Sequence, residues 1–199
     1  MARLTATPAP FSMSGAADAS PVDTWPRSFL ALYPDADTRR QLAGVQSLDG
    51  VQPTHIDDLH LTLAFIGSIS EAQRRVLADA LPALATLAKQ IPQLEPTGFE
   101  TWPTPEKPRV WVAAYALPEA LRQLVAQVQT ILTAADLPVD ARPFRPHITL
   151  ARFARGAVTA APSLVQLEQP AQVEAIGLYC RTASREAPRY MTLASAPLT

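Results

Sequence analysis

The stretch RPFRPHITLAR, residues 142–152, contains a four-residue pattern that occurs twice in the chain. Its core, His147-Ile-Thr-Leu150, repeats the pattern His60-Leu-Thr-Leu63 in the first half of the chain. Side chains alternate between the faces of a β-strand, so each copy presents an imidazole and a hydroxyl on one face and two aliphatic side chains on the other. We therefore expect each copy to be a strand anchored in a core, with both sets of polar groups facing one cleft.

The length and composition are those of a soluble globular protein. The chain has 199 residues, of which 48% are hydrophobic and 18% are charged, which is an ordinary profile for one domain. No apolar run approaches the roughly 18–20 residues that span a bilayer, and the first residues lack the apolar core of a secretory signal. The only cysteine, Cys180, excludes an intrachain disulfide and lies in a strand pattern where we expect packing. We expect a cytoplasmic monomer with no membrane partner.

The charge is small overall but uneven along the chain. A formal net charge of −1 and a pI of about 6.3 exclude a nucleic-acid coat that binds through bulk charge. Residues 139–155 nevertheless hold four arginines and one acid, Asp140. This local excess of positive charge suits one or two phosphates, and the alternative is a solvated arginine-rich strand edge.

The pattern of apolar and turn residues predicts the elements. Residues 1–25 lack periodicity and are predicted to be a disordered extension, and residues 26–199 are predicted to form a single bilobal domain. Predicted strands cover residues 27–33, 59–66, 94–102, 109–115, 146–153, 173–181 and 189–193. Predicted helices cover residues 35–48, 71–89 and 120–135, and Pro82 is predicted to kink or split the second.

The order of these elements indicates the fold class. Strands and helices mix without strict alternation of strand, helix and parallel strand, which favours an α+β fold with mainly antiparallel sheets. The two histidine-containing strands occupy similar positions in the two halves of the chain. We expect two pseudo-symmetric lobes around a central cleft, each an antiparallel sheet with helices outside.

Two imidazoles facing one cleft are suited to acid–base catalysis near neutral pH. One ring can take a proton from a nucleophile while the other gives a proton to a leaving group. A neighbouring hydroxyl and an arginine can donate hydrogen bonds to a phosphate as its charge grows. This chemistry requires no metal and no cofactor. The alternative is that each histidine only bonds a neighbouring backbone group.

These motifs resemble the 2H phosphoesterase superfamily, and specifically its bacterial RNA 2′,3′-cyclic phosphodiesterase branch, also labelled 2′-5′ RNA ligase. The resemblance rests on RSFLAL at residues 27–32, LHLTLAFIG at 59–67, PRVWV at 108–112, RPFRPHITLAR at 142–152 and PRYMTL at 188–193. It implies a fold of two similar lobes around a cleft that holds both tetrads. It also implies hydrolysis of RNA 2′,3′-cyclic phosphate ends to 2′-phosphomonoesters, with RNA ends or nucleotides as the partners.

The resemblance also implies the roles of individual residues. It makes His60 the proton donor and His147 the proton acceptor. Thr62 and Thr149 then bind phosphate oxygens, together with Arg152. Strict alternation along a strand places Arg152 on the face opposite to His147, so that it needs a strand end, a twist or a bulge to reach the cleft.

Other residues have two interpretations each. Arg145 has the favourable strand parity for phosphate binding but matches the family less well than Arg152. Phe29 and Tyr190 are candidates to stack on a base at the rim of the cleft, and core packing is the alternative for both. His55 lies five residues before His60 with Asp57 and Asp58 between them, so a metal site can be imagined, although an exposed loop histidine is the expectation.

Two further functions remain open from the sequence. Reversible 2′-5′ RNA ligation would run the same chemistry backwards, with a 5′-hydroxyl as the nucleophile. A module that binds RNA ends without turnover would keep the cleft, but it would not need both imidazoles.

Overall fold

The computed structural model describes residues 24–45, 51–154, 169–183 and 188–198, in which strands and helices mix along the chain. The strands are β1 (Thr24–Pro34), β2 (Val51–Pro53), β3 (Leu61–Ser70), β4 (Pro96–Trp102), β5 (Val110–Tyr115), β6 (His147–Phe153), β7 (Val173–Arg181) and β8 (Tyr190–Pro197). The α-helices are α1 (Ala36–Gly44), α2 (Glu71–Ala88) and α3 (Glu119–Ala134), and a single 3₁₀ turn covers Ile56–Asp58.

One antiparallel sheet contains all of these strands. Its order is β4-β5-β6-β3-β1-β7-β8, and β2 pairs with β6 beside β3. The helices lie outside this hydrogen-bonded framework. The expectation of an α+β fold with antiparallel strands is confirmed.

The two predicted lobes appear as two halves of this sheet. One half contains β4, β5, β6 and β2, and the other contains β3, β1, β7 and β8. Within the named strands the halves meet at one pair of residues, Leu61 of β3 and Ile148 of β6, and an isolated bridge between Leu94 and Ala171 joins the segments before β4 and β7. Because β3 and β6 pair only there, the strands diverge on either side of the junction, and the histidine tetrads lie at the point of divergence.

The assignment of strands to the two halves differs from the order along the chain. The last two strands, β7 and β8, extend the half that begins with β1, since Ser28 to Pro34 pair with Cys180 to Val173. The C-terminal strands therefore return to the N-terminal half of the sheet. Sequence patterns identify these strands but do not identify their neighbours, because pairing depends on contacts between distant parts of the chain.

The hydrophobic core is shared by both halves of the sheet. Helix α2 packs against α3, β7 and β8, and α3 also contacts β3. Leu61 and Ile148 at the junction are fully buried, as are Leu77 of α2 and Leu124 of α3. These side chains belong to one continuous cluster. The aliphatic residues of both tetrads are part of it, which fixes their polar neighbours on the opposite face.

Several element ends differ from the sequence prediction. Strand β1 begins at Thr24 instead of residue 27, and the indole Nε1–H of Trp25 donates to Glu71 (3.1 Å). Residues 24 and 25, which were predicted to belong to the disordered extension, are therefore part of the sheet. Residues 1–23 lie outside the described part of the chain. The sequence offers Asp35 or Asp37 as the N-cap of helix α1, and the structure has Asp35 there. The helix ends at Gly44 and not at residue 48.

Two elements continue past a predicted end or split. The sequence predicts a strand over residues 59–66, but β3 continues to Ser70, because Gly67 (φ +89°) and Ile69 still pair with β1. Helix α2 is not split at Pro82, which lies on its exposed side. A proline there removes one backbone donor without burying an unpaired carbonyl. Ser70 and Gln73 close a capping box at the start of this helix.

Candidate active site

The tetrads are related by a local twofold axis at the junction of the two sheet halves. In an antiparallel pair, the Leu61–Ile148 pairing places His60 beside Thr149 and Thr62 beside His147. His60 directly precedes β3, and His147 is the first residue of β6. Each imidazole is therefore next to the hydroxyl-bearing residue of the other tetrad. This arrangement brings together the four residues that the sequence predicted to share a cleft.

Both histidines are held in the same tautomer by the same local contact. The Nδ1–H of His60 donates to the backbone carbonyl of Asp58 (2.7 Å), and the Nδ1–H of His147 donates to that of Arg145 (2.8 Å). A carbonyl oxygen can only accept, so Nδ1 carries the proton in each ring. In both neutral rings Nε2 then has the free lone pair. The backbone contact that was the alternative to catalysis is present, and it leaves the second nitrogen of each ring available for proton transfer.

Asp58 secures the loop that holds His60. Its side chain is buried, and its two carboxylate oxygens accept hydrogen bonds from the backbone N–H of Arg189 (2.9 and 3.0 Å). This contact ties the segment before β3 to the segment before β8. Because the carbonyl of Asp58 orients His60, the carboxylate of the same residue fixes the ring through the backbone. From the sequence, Asp58 was considered only as a neighbour of His55 in an imagined metal site, because nothing local marks a contact with a residue more than a hundred positions away.

Aromatic rings pack against both imidazoles. The ring of His60 lies 4.8 Å from Phe29 and 5.1 Å from Tyr190, measured between centroids. The ring of His147 lies 4.4 Å from Trp102. These rings remove water from one face of each histidine and restrict its rotation. The sequence predicts Trp102 as the last residue of a strand but gives no sign of its contact with His147.

Burial changes the acid–base properties of the two histidines. It lowers the pKa of His60 to about 4, with a smaller opposite effect from the hydrogen bond to Asp58. It also lowers the pKa of His147, against the hydrogen bond to Arg145. The cause is that a charged imidazolium loses hydration when it is buried. Both rings are therefore neutral in the free protein at neutral pH, and His60 is the harder of the two to protonate.

A β-bulge in β6 turns the side chain of Arg152 to the same face of the strand as His147. In the pairing of β6 with β5, Thr149 lies opposite Val112, but the next pair joins Ala151 to Trp111, so Leu150 is an additional residue. Leu150 and Ala151 are both buried, and Arg152 returns to the exposed face. A bulge inverts the alternation of side chains beyond it. Arg152 thus lines the same cleft as His147 and Thr149.

Arg145 is committed to other contacts. Its guanidinium donates to Glu100 (2.6 Å) and lies over the Trp102 ring, 4.4 Å from the centroid. The Trp102 Nε1–H donates to the same carboxylate (2.7 Å). The side chains of Arg145, Glu100 and Trp102 form a cluster beside His147. Arg145 is not among the residues that line the cleft. Arg152 therefore lines the cleft, whereas Arg145 packs on the Trp102 ring outside it.

The cleft has a volume of about 680 Å³ and a positive lining. Both histidines and both threonines line it, with Thr62 nearly buried. Four arginines also line it, against one carboxylate, that of Asp58, among the described residues. The arginines are Arg27, Arg152, Arg181 and Arg189. Only Arg152 was predicted from the sequence, because the other three come from strand ends that are distant along the chain.

The remaining candidates take ordinary positions. Phe29 lines the cleft but is only 3% exposed, so its ring serves mainly as packing for His60, Tyr179 and Tyr190. Tyr190 is half-buried beside His60. Cys180 is buried, and burial raises its pKa, as expected for a packing residue.

His55 does not belong to a metal site in the described part of the chain. It is exposed, and its Nδ1 accepts from the backbone N–H of Asp57 (3.3 Å). Within the described residues, no three His, Cys, Asp or Glu side chains are grouped closely enough to hold a metal ion. None of the described helices is long and apolar enough to cross a membrane.

Comparison with known proteins gives a consistent family. Residues 34–185 match the family model of the 2′-5′ RNA ligase superfamily. An RNA 2′,3′-cyclic phosphodiesterase of Aeropyrum pernix is 33% identical over 69% of this chain and 80% of its own length. A protein of the same name from Geobacillus stearothermophilus is 34% identical over 72% of this chain, and the match spans 46% of that longer protein.

Solved structures agree with these sequence matches. The crystal structure of a Thermus thermophilus protein has a TM-score of 0.62 with 29% identity, covering 86% of this chain and 97% of the other. E. coli LigT complexed with 3′-AMP has a TM-score of 0.60 with 29% identity, covering 88% and 99% of the two chains. Both tetrads and Arg152 lie within the matched residues 34–185, and on this evidence the chain belongs to the 2′-5′ RNA ligase superfamily.

Proposed function

We propose that this protein hydrolyses 2′,3′-cyclic phosphodiester ends of RNA to 2′-phosphomonoesters. The observation that carries the proposal is the pair of twofold-related imidazoles, each with Nδ1 bound to a backbone carbonyl and Nε2 available for proton transfer. Relatives at 33–34% identity named RNA 2′,3′-cyclic phosphodiesterase support it. The complex of E. coli LigT with 3′-AMP supports a nucleotide as the ligand of the cleft.

The reaction is a displacement at phosphorus. A water oxygen attacks the cyclic phosphate and forms a new P–O bond while the bond from phosphorus to the 3′ oxygen breaks. One histidine takes the proton of the water, and the other gives a proton to the departing oxygen. The attacking and leaving oxygens lie on opposite sides of phosphorus, and the two imidazoles come from opposite halves of the sheet. The product carries a 3′-hydroxyl and a 2′-phosphate.

The other residues of the cleft stabilise charge on the phosphate. Thr62 and Thr149 each offer a hydroxyl donor beside the opposite imidazole, and Arg152 offers a guanidinium. Such donors act most strongly where charge grows in the transition state. No metal ion or cofactor is needed for these steps. Tyr190 and Phe29 hold His60 against the wall of the cleft.

A direct assay tests this function. The protein is incubated with a nucleoside 2′,3′-cyclic phosphate in the presence of EDTA, and the product is identified by phosphorus NMR. We expect a 2′-monoester at a rate that EDTA does not change, and we expect no product with the His60→Ala/His147→Ala double variant. Activity that is lost in EDTA and restored by a divalent ion would contradict the mechanism. Tight nucleotide binding without turnover would identify a binding module instead.

The family resemblance supports His60 as the acid and His147 as the base. The low pKa of His60 in the free protein opposes this order, since an acid must be protonated. A phosphate anion bound between the rings raises the pKa of both, which restores a proton to one of them. Which histidine is the acid therefore depends on their pKa values with substrate bound. A test of the two roles must not rely on the pH profile of the free protein.

A substrate with a better leaving group on the 3′ side separates the two roles. Such a leaving group departs without protonation, so the acid is no longer needed. We expect it to rescue His60→Ala by a large factor and His147→Ala hardly at all, measured as kcat with the natural and the activated substrate. Rescue of His147→Ala alone would reverse the assignment.

The name of the matched superfamily favours a second reaction, 2′-5′ ligation. This is the reverse displacement, in which a 5′-hydroxyl of RNA replaces water. A mixture of 5′-hydroxyl and 2′,3′-cyclic phosphate oligonucleotides tests it, since a ligated product with a 2′-5′ linkage resists ribonuclease. We propose hydrolysis as the main reaction because water is always present at far higher concentration.

We also propose that the protein is a cytoplasmic monomer and that residues 26–199 fold as one domain. One chain provides every residue of the cleft, and one cluster of buried side chains joins both halves of the sheet. Light scattering after size exclusion should give a mass near 21.5 kDa. A single cooperative unfolding transition and recovery in the cytoplasmic fraction check the other two points.

A further inference from the structure

A second cavity adjoins the catalytic cleft at His60. Its volume is about 340 Å³. Phe29, His60 and Tyr190 line both this cavity and the cleft, so these three side chains form a wall between them. The proposed reaction uses only the cleft side of this wall. We call the second cavity the aromatic pocket.

The pairing of β1 with β7 builds the aromatic pocket. Consecutive cross-strand pairs on one face of the sheet are Phe29–Tyr179, Ala31–Gly177 and Tyr33–Ala175. The first and last pairs contain rings, and the middle pair contains almost no side chain. The missing Cβ of Gly177 leaves room for the ring of Tyr179, which an added methyl group would approach to 2.7 Å. This face of the sheet therefore presents aromatic rings above small residues.

Four aromatic rings line the pocket at different angles. They belong to Phe29, Tyr33, Tyr179 and Tyr190. Phe29 stacks on Tyr179 with 5.5 Å between the ring centroids, and Tyr190 meets Phe29 edge-on at 5.0 Å. The hydroxyl of Tyr33 donates to the backbone carbonyl of Asp57 (3.5 Å), which joins β1 to the turn before β3. The faces of such rings carry partial negative charge and attract cations.

The polar groups of the pocket are acidic or neutral. Asp57 supplies a carboxylate, and Thr192 and Ser195 supply hydroxyls. Among the described residues no lysine or arginine lines the pocket, whereas four arginines line the cleft. His60 adds no charge, because burial lowers its pKa to about 4. The pocket therefore repels a phosphate and attracts a positive group.

Tyr33 already binds one cation outside the pocket. The guanidinium of Arg39 lies 4.3 Å from the centroid of the Tyr33 ring and pairs with Glu174 at 2.8 Å. Arg39 does not line the pocket, and its charge is balanced by Glu174. Asp57 contacts no lysine or arginine among the described residues; its ion-pair contact is with His55 (3.6 Å). The Asp57 carboxylate is therefore available to a cation inside the pocket.

We propose that the aromatic pocket is a binding site for a small organic cation with a methylated, quaternary ammonium group. The methyl groups of such a cation contact the ring faces, and its charge is attracted by the rings and by Asp57. A quaternary group needs no hydrogen-bond acceptors, which suits a lining that is mostly aromatic. The inference goes beyond the proposed function, because it concerns a separate cavity and a ligand of opposite charge.

Choline and its neutral isostere test the role of charge. In 3,3-dimethylbutan-1-ol a carbon atom replaces the nitrogen of choline, so the shape is retained and the charge is lost. Binding is measured by titration with saturation-transfer difference NMR at physiological ionic strength, which screens loose attraction to surface carboxylates. We expect choline to bind with a Kd of about 1–10 mM and the alcohol to bind at least about tenfold more weakly. Spermidine, which has no methyl groups, should also bind more weakly than choline.

Variants locate the bound choline. Asp57→Asn removes the carboxylate charge and should weaken choline binding severalfold without changing the affinity for the alcohol. Tyr33→Leu removes a ring and should weaken choline binding more than Tyr33→Phe, which keeps the ring. Glu119→Gln removes an exposed carboxylate of α3 outside the pocket and should keep the wild-type Kd. Circular dichroism confirms that each variant is folded.

Inorganic phosphate separates the pocket from the catalytic cleft. Phosphate should occupy the arginine-lined cleft, so we expect it to leave the Kd of choline unchanged or to lower it. Competition between phosphate and choline would place choline in the cleft and overturn the proposal. The titrations measure binding alone, so their result stands whether or not the protein hydrolyses cyclic phosphates.

The other outcomes are equally decisive. Equal affinity for choline and the alcohol would show an ordinary apolar cavity, and tighter binding of spermidine would show a site for polyamines. Either result would overturn the quaternary ammonium site. The absence of a saturable signal at tens of millimolar choline, or an unchanged Kd in both Asp57→Asn and Tyr33→Leu, would do the same.

Discussion

At the scale of single residues, the two histidines are alike in geometry and different in environment. Each donates Nδ1–H to the carbonyl two residues earlier. His60 packs between Phe29 and Tyr190, while His147 packs on Trp102 beside the charged pair of Arg145 and Glu100. Environment rather than position therefore separates their pKa values, which is how paired groups acquire distinct acid and base roles.

The first prediction at this scale concerns the phosphate ligand. Removing one charge-assisted donor to a transition state costs about 3 kcal/mol, or about a hundredfold in rate. We expect Arg152→Ala to lose about a hundredfold in kcat/KM for a cyclic nucleotide. Arg145→Ala should lose less than about tenfold, because Arg145 acts through Trp102 and His147.

The pH profile distinguishes these two arginines further. Arg145 lowers the pKa of His147 by charge repulsion, so Arg145→Ala should move one limb of the profile to higher pH. A larger loss for Arg145→Ala than for Arg152→Ala would show that the guanidinium leaves Glu100 to reach the phosphate.

The second prediction concerns pH. The profile of kcat/KM reports the groups of the free enzyme, and both histidines have pKa values below the ordinary value of about 6.5. We expect kcat/KM to follow a bell-shaped curve that rises from about pH 4, reaches its maximum below pH 6.5 and falls towards pH 8. The profile of kcat should lie at higher pH, because the bound phosphate anion favours both imidazolium forms.

Stability must be measured alongside this profile. A neutral, buried His60 stabilises the fold fully above its unfolded pKa of about 6.5, and this stabilisation is lost as the pH falls towards 4. Circular dichroism at each pH separates unfolding from titration of the active enzyme. A pH-independent kcat/KM would rule out acid–base catalysis by this pair.

At the scale of elements, paired bulges adapt two ordinary strands to a catalytic cleft. Regular alternation would have turned Arg152 and Phe65 away from the histidines. One additional residue in each strand, Leu150 or Leu63, restores them to the cleft while the aliphatic residues stay in the core. Bulges commonly redirect side chains near active sites in this way.

The third prediction tests how β7 supports the first histidine. A Cβ on Gly177 would lie 2.7 Å from the ring of Tyr179, which stacks on Phe29 at 5.5 Å. Gly177→Ala must therefore displace the Tyr179 ring and disturb the aromatic packing behind His60. We expect about a 1–3 kcal/mol loss of stability, typical of overpacking, and a lower kcat.

A second glycine provides the matched control. Gly44 ends α1, and an added Cβ there meets nothing within 4 Å. Gly44→Ala should keep the wild-type kcat and unfolding midpoint or raise the midpoint slightly, because alanine is the better helix former. A Gly177→Ala protein as stable and as active as Gly44→Ala would show that Tyr179 does not support the site.

At the scale of the whole molecule, the fold brings two chain halves to one junction. Within the described strands, the two sheet halves pair at Leu61 and Ile148, and helices α2 and α3 pack together on the side of the shared core. A single paired position leaves the polar faces of β3 and β6 open to solvent beside it. The scaffold is therefore continuous below the cleft and divided at the cleft itself, so that a substrate can lie between the two histidines.

The sequence alone determined the parts of this protein that depend on local pattern. The repeated tetrads predicted that both histidines and both threonines face one cleft. The order of the elements predicted the antiparallel α+β class, and the apolar pattern predicted strand β7 with its observed limits. These features follow from the alternation of side chains and from residue chemistry, which short stretches contain completely. The proposed roles of the histidines stay predictions until the leaving-group experiment is done.

The residues that join the tetrads from distant parts of the chain could not be predicted from local pattern. It placed β7 and β8 beside β1, tied Arg145 to Glu100, and brought Phe65, Arg27 and Arg181 to one end of the cleft. The alignment of HLTLAF with HITLAR was visible in the sequence, but the bulge that gives it meaning was not. Register and bulges are set by hydrogen bonds and burial between strands that are distant along the chain, and a one-residue shift in either reverses the face that each side chain occupies.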